Sequence, residues 1–140
     1  MPQTKKLRSK KNKTNKNRTN ESFEKKVTVV FMEMLMMVKL FHWKTHSFAT
    51  HKATDELYDS LNGNIDKFIE VLLGKTGTRI DLTKHKTIQI IDLNSQVKLK
   101  SRIESFKTFL SNMNDGTDLM NIRDEILGDL NKFLYLLTFK

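Results

Sequence analysis

Cysteine is absent from the 140 residues. That removes disulfides, thiolate metal sites and cysteine nucleophiles, while leaving the redox compartment open. Acidic side chains are absent from the first twenty positions, MPQTKKLRSKKNKTNKNRTN, and Leu7 is almost the only sizeable apolar residue there. The stretch therefore lacks the apolar centre of a secretory signal. Long apolar runs are missing as well. The longest, VTVVFMEMLMMV, has 12 residues and contains Glu33, too short to span a bilayer. Together these absences predict a soluble, intracellular protein that does not enter a membrane.

What is present is charge, unevenly placed. The chain carries 25 basic and 16 acidic residues, a net +9. Eight of the bases (Lys5, Lys6, Arg8, Lys10, Lys11, Lys13, Lys16 and Arg18) lie in residues 1–20. The other 120 residues hold 17 bases against 16 acids, or +1. Residues 1–20, rich in Lys, Asn and Thr with no apolar period, are predicted to form a disordered arm. Such an arm suits either a solubilising or localising tail or a non-specific contact with nucleic-acid phosphates, where tethered cations release counterions.

Residues 21–140 are enough for one domain with its own core, and they read as helices. The first is predicted from about Glu21 to His46; its middle is nearly all apolar, with Thr28, Glu33, Lys39 and His42 as exceptions. A helix so apolar all round needs cover on several sides, from its own bundle and from other subunits. A second runs from about Phe48 to Leu73, with Ser47 as N-cap. Its core stripe is Ala53, Leu57, Leu61, Ile65, Phe68 and Leu72. The turn-like Asn62-Gly63-Asn64 does not break it, because the stripe crosses that point in phase.

A polar connection, GKTGTRIDLTKHKTIQIID, follows, in which TIQIID is compatible with a short extended segment. A third helix spans about Ser95 to Met113 on Leu99, Ile103, Phe106, Leu110 and Met113. The turn NDGTD leads to a fourth, capped by Asp115 or Thr117 and carrying Leu119, Ile122, Ile126, Leu130, Phe133 and Leu137. Two helical hairpins joined by one long connection predict an all-α, ferritin-like four-helix bundle with a crossover between helices 2 and 3.

The second helix also carries His51, Asp55, Asp66 and Glu70, at steps of 4, 11 and 4. At 100° per residue they fall at about 0°, 40°, 60° and 100°, within one stripe. Asp55 and Asp66 are nonetheless about 16 Å apart along the axis, so one ion cannot touch both pairs of one helix. Two antiparallel copies related by a twofold axis near residues 60 and 61 resolve this. His51/Asp55 of one chain then face Asp66/Glu70 of the other, giving two identical sites across a dimer interface. Imidazole with carboxylates suits a divalent first-row ion such as Fe(II), and zinc is equally compatible by ligand type. The same spacing also fits a solvated polar stripe on an ordinary surface helix. His42 adds weight to the metal site: it closes the first helix beside Trp43, nine residues before His51, where a helical hairpin brings it next to the second helix. His46, at i+4 from His42, is an extra candidate ligand if the turn does not carry it away.

The segment FHWKTHSFATHKATDELYDSLNGNIDKFIE resembles the ferroxidase region of the Dps family, the mini-ferritins. His42, His51, Asp55, Asp66 and Glu70 fall on that family's iron ligands. EKKVTVVFMEMLMMVKLFHW is similar to the family's first helix and DLNKFLYLL to its last, so the resemblance extends over the body of the chain. The turn between Trp43 and Phe48 and the connection after Gly74 are both shorter than in the family. The resemblance implies a four-helix subunit, a hollow dodecamer with ferroxidase centres at twofold interfaces, and oxidation of Fe(II), usually by hydrogen peroxide, with storage of the ferric product. It also implies DNA protection, helped in several members by a lysine-rich N-terminal extension, and a cytoplasmic, nucleoid- or DNA-associated location. The Lys/Asn-heavy composition points to an AT-rich genome, bacterial or viral; a viral source would make the virion a possible location. The competing expectation is a ferritin-like structural or nucleic-acid-packaging protein, of chromatin or a virion, that has lost the chemistry.

Overall fold

The structure, a computed structural model, describes residues 22–140. The arm predicted over residues 1–20 lies outside them. Four helices make up the fold: α1 (Phe23–Lys44), α2 (Phe48–Thr76), α3 (Gln96–Ser111) and α4 (Thr117–Leu136). Among the described residues there is no strand, so TIQIID is not part of a sheet.

The helix ends follow from local chemistry. Ser47 accepts a hydrogen bond from the Thr50 amide at 3.2 Å and Ser95 one from Lys98 at 3.2 Å, each satisfying an orphan first-turn N–H. α2 stops at Gly77, whose φ of 67° is the left-handed conformation that glycine adopts without strain and whose N–H reaches Leu73 O. α1 ends two residues earlier than expected. Thr45 is extended at ψ 142°, which puts His46 outside the helix. The cap of α4 also differs from expectation. Gly116, which has no side chain to offer, occupies the N-cap, and the Asp115 carboxylate instead accepts from the Gly116 amide at 2.7 Å. Arg123 closes the other side of that turn, donating to the carbonyls of Leu110 and Met113 at 3.0 and 3.1 Å.

The apolar stripes meet in one core. Val27, Phe31, Met34 and Val38 of α1 pack with Leu61 and Phe68 of α2, Leu99 and Ile103 of α3, and Leu119, Ile126 and Leu130 of α4. Phe31 and Phe68 contribute an edge-to-face pair with centroids 5.3 Å apart. α1 packs on α2, α2 on α4, and α3 on α4. The α2–α4 seam is antiparallel: Glu56 pairs with Lys132, Asn64 with Asp129 at 2.7 Å, and Lys75 with Asp118 at 2.9 Å. Burial raises the Asp129 carboxyl pKa, partly offset by the Asn64 hydrogen bond. The folded chain therefore holds that proton to higher pH than the unfolded one, and ionising Asp129 weakens the fold as pH rises through the carboxylate range.

The segment between Gly77 and Ser95 lies against α1. The Gln89 amide donates to Glu33 at 3.2 Å and Asp92 pairs with Lys44. Ile91 is buried, and the Gln96 side chain, opening α3, donates to Thr50 near the start of α2 at 2.6 Å. One chain does not cover all of α1: Met32, Met36 and Trp43 stay 43%, 37% and 70% exposed.

The 29 residues of α2 continue through Gly63. A Cβ there meets nothing within 4 Å, and the residue does not have a positive φ. Gly63→Ala should therefore raise stability by about 1 kcal/mol, the helix-propensity difference, measured by urea denaturation. A fall would show that the backbone at Gly63 is not helical in solution.

Candidate metal centre

The turn Thr45–Ser47 holds α1 and α2 close enough for the two histidines to meet. His42, in the last turn of α1, is buried; His51, in the first turn of α2, is exposed. Each reaches across to the other's main chain. His42 Nδ1 lies 2.8 Å from His51 O, and His51 Nδ1 lies 3.0 Å from His42 O. Their rings stack with centroids 3.9 Å apart and planes 18° from parallel.

A carbonyl oxygen only accepts, so both Nδ1 atoms must donate. In the neutral imidazole the proton then sits on Nδ1, and Nε2 carries a lone pair. Thr54 fixes the arrangement from below. Fully buried, it donates from Oγ1 to Thr50 O at 2.8 Å, and the same oxygen lies 3.1 Å from His42 Nδ1. Neither Nε2 has a hydrogen-bond partner among the described residues. An imidazole oriented by an Nδ1–H···O=C bond, with Nε2 left free, is the usual preparation of a histidine metal ligand. The lone pairs lie in two planes 18° from parallel, so one ion cannot lie in both.

Asp55 follows His51 by one helical turn and is exposed, as are Asp66 and Glu70 farther along α2. A groove of about 470 Å³ runs beside Asp55, lined by Lys52, Asp59 and Phe139 among others. The structure thus brings His42 to His51, with Asp55 one turn away, and leaves Asp66 roughly 16 Å and Glu70 roughly 22 Å beyond Asp55 along the axis. Among the described residues of one chain, no three of His, Asp and Glu come together to hold a metal ion. His46 sits exposed in the turn, and His85 lies in the connection, its amide bonded to Leu82 O. Thr54 was not singled out by sequence. The available signal was a pair of threonines, Thr50 and Thr54, on the core side of an otherwise apolar stripe.

Residues 42–137 match the model of a protein family described as a family of unknown function, DUF5856. The chain belongs to this family. The matched span begins at His42 and includes all five candidate ligands. No curated protein and no solved structure matches the chain.

The tautomer is open to direct measurement. At alkaline pH, where imidazoles are neutral, nitrogen NMR of this DUF5856 chain should find His42 and His51 protonated at Nδ1 with Nε2 bare. His46 should show the Nε2–H form that predominates in free imidazoles. An Nε2–H form at His42 or His51 would show that the reciprocal bonds do not persist in solution.

Proposed function

We propose that this protein is a Dps-like ferroxidase and iron store, with a basic arm that binds DNA. The observation that carries the reading is the His42–His51 pair, whose two Nδ1 atoms are committed to main-chain carbonyls while both Nε2 lone pairs remain available. The ferritin-like topology belongs to the same proposal. It is supported by the Gln96–Thr50 bond, since in a simple up-down bundle α3 would start where α2 ends.

The continuous α2 supports an interface between two copies. His51 and Glu70, and likewise Asp55 and Asp66, are symmetric about a point between residues 60 and 61. A twofold axis there sets Asp55 against Asp66 of the partner subunit and brings His51 toward Glu70 of the partner subunit. The same operation sets Phe48, 73% exposed in one chain, against Leu73 of the partner subunit, so an apolar contact flanks each site. Twofold dimers of this kind would assemble further, to a dodecamer in the family this chain resembles.

Fe(II) is the substrate. His42, His51 and Asp55, with Asp66 and Glu70 of the partner subunit, would hold two ions and leave coordination positions open. Each ion gives up one electron; together they reduce one hydrogen peroxide, whose O–O bond breaks to leave two hydroxides. Pairing the ions allows a two-electron reduction in one place, without release of a hydroxyl radical from a one-electron step. The protein supplies ligands and position, and needs no nucleophile or general base. Zinc would fit the same donors without the redox step.

Two outcomes test the reading. Asp66→Ala with Glu70→Ala should slow ferric formation at least about tenfold after anaerobic Fe(II) loading and peroxide addition, a barrier increase of ~1.4 kcal/mol, with the helical circular dichroism unchanged. Oxidation at the parent rate would overturn the ferroxidase and leave the structural or packaging role. Removing residues 1–20 should weaken binding to duplex DNA about tenfold or more at fixed salt and leave oxidation unchanged. Equal binding would show that the arm is not a contact.

A further inference from the structure

The near-neutral total of the body hides a polarised surface. α2 carries five acids and three bases, and α4 four acids and two bases. α3 reverses this, with Lys98, Lys100, Arg102 and Lys107 against a single acid, Glu104. That acid is already paired with Lys107 at 3.2 Å. Lys98, Lys100 and Arg102 are exposed and make no ion pair among the described residues.

The helical phase arranges these cations. Leu99, Ile103, Phe106 and Leu110 face the core. At 100° per residue the opposite ridge is Val97, Ser101, Glu104, Ser105 and Thr108, all exposed. Lys98 and Arg102 stand along one flank of that ridge, Lys100 and Lys107 along the other. Apart from Glu104, whose charge Lys107 neutralises, the ridge is low because its side chains are short. Ser105 and Thr108 turn their hydroxyl protons inward, to Ser101 O at 3.2 Å and Glu104 O at 3.1 Å. Two rows of flexible cations thus border a narrow floor that offers few donors of its own.

We infer that the outer face of α3 is a second nucleic-acid contact, with Lys98, Lys100 and Arg102 binding the phosphate backbone. Such cations displace condensed counterions along a strand that carries one phosphate per about 3.4 Å of axis. They position the nucleic acid without reading its bases. The floor argues against a membrane, because Val97 is its one apolar side chain and nothing there would enter acyl chains. The inference does not depend on iron chemistry. It extends the DNA-binding part of the proposed function from the arm to the folded body.

The test is a two-by-two comparison, with full-length and arm-deleted (residues 1–20 removed) chains, each with and without Lys98→Gln, Lys100→Gln and Arg102→Gln. Binding to a fluorescent mixed-sequence duplex is measured over a salt series. In both backgrounds the triple substitution should flatten the log–log salt slope by about 2.7, at ~0.9 per neutralised phosphate. Circular dichroism and melting should be unchanged, since all three side chains are exposed. Lys67→Gln, which removes one exposed cation from α2, should leave the slope as it was. An unchanged slope in the triple variant, or an equal per-charge loss from Lys67→Gln, overturns the α3 contact. So does triple-sensitive binding to anionic phospholipid vesicles without an effect on DNA. The arm is judged separately by its own deletion, so either contact can fail while the other stands.

Discussion

The 29-residue α2 is the constraint on which the rest of this structure depends. Its length sets how far His51 and Asp55 stand from Asp66 and Glu70, and its continuity keeps the four on one stripe. Its opposite side supplies Leu57, Leu61, Phe68 and Leu72 to the core and receives both α1 and α4. One rigid rod thus fixes the bundle inwardly and, outwardly, the spacing of two exposed polar pairs, His51/Asp55 and Asp66/Glu70. A bend at Gly63 would have folded the two polar pairs onto each other and destroyed both the stripe and the seam with α4. In such a helix the outward chemistry and the inward packing cannot be changed independently.

At the other end of the hairpin, the histidine pair couples the site to the fold by a different route. The donors that set the ring orientations of His42 and His51 also tie the last turn of α1 to the first turn of α2. Removing either ring therefore disturbs the turn as well as the candidate site. Thr54 deepens this coupling, since its hydroxyl is wholly enclosed and bonded on both sides. A buried hydroxyl is tolerated only when it is paired. Here the pairing locks the rotamer of the less exposed histidine.

Much of this architecture was legible in the chain. Ser47 and Ser95 announced two helix starts, and the four-residue steps from Leu57 to Ile65 carried the helix through a turn-like tripeptide because core phase outweighs one glycine. The phases of α3 and α4 were equally plain. Other features were not. The end of α1 depended on the extended Thr45, and the α4 cap on a carboxylate turning to its neighbour's amide. Arg123 as a lid on the end of α3 depends on contacts ten and thirteen residues away, which no local pattern encodes. The candidate site was legible only as spacing, which put His51, Asp55, Asp66 and Glu70 on one stripe of one helix. The stacking of His42 on His51, and the tautomer it dictates, required the three-dimensional turn. The basic face of α3 was hidden by counting the body as one nearly neutral object.

The uncovered ridge of α1 carries a thermodynamic consequence. Met32, Met36 and Trp43 leave apolar surface in water, at roughly 25 cal/mol for every Å² that a neighbour could remove from it. Anything that binds the folded chain there and ignores the unfolded one adds RT ln(1 + [L]/Kd) to stability. When the binder is another copy, [L] is the protein's own concentration. For such a molecule dilution acts as a denaturant, and a melting temperature has meaning only beside the concentration at which it was recorded.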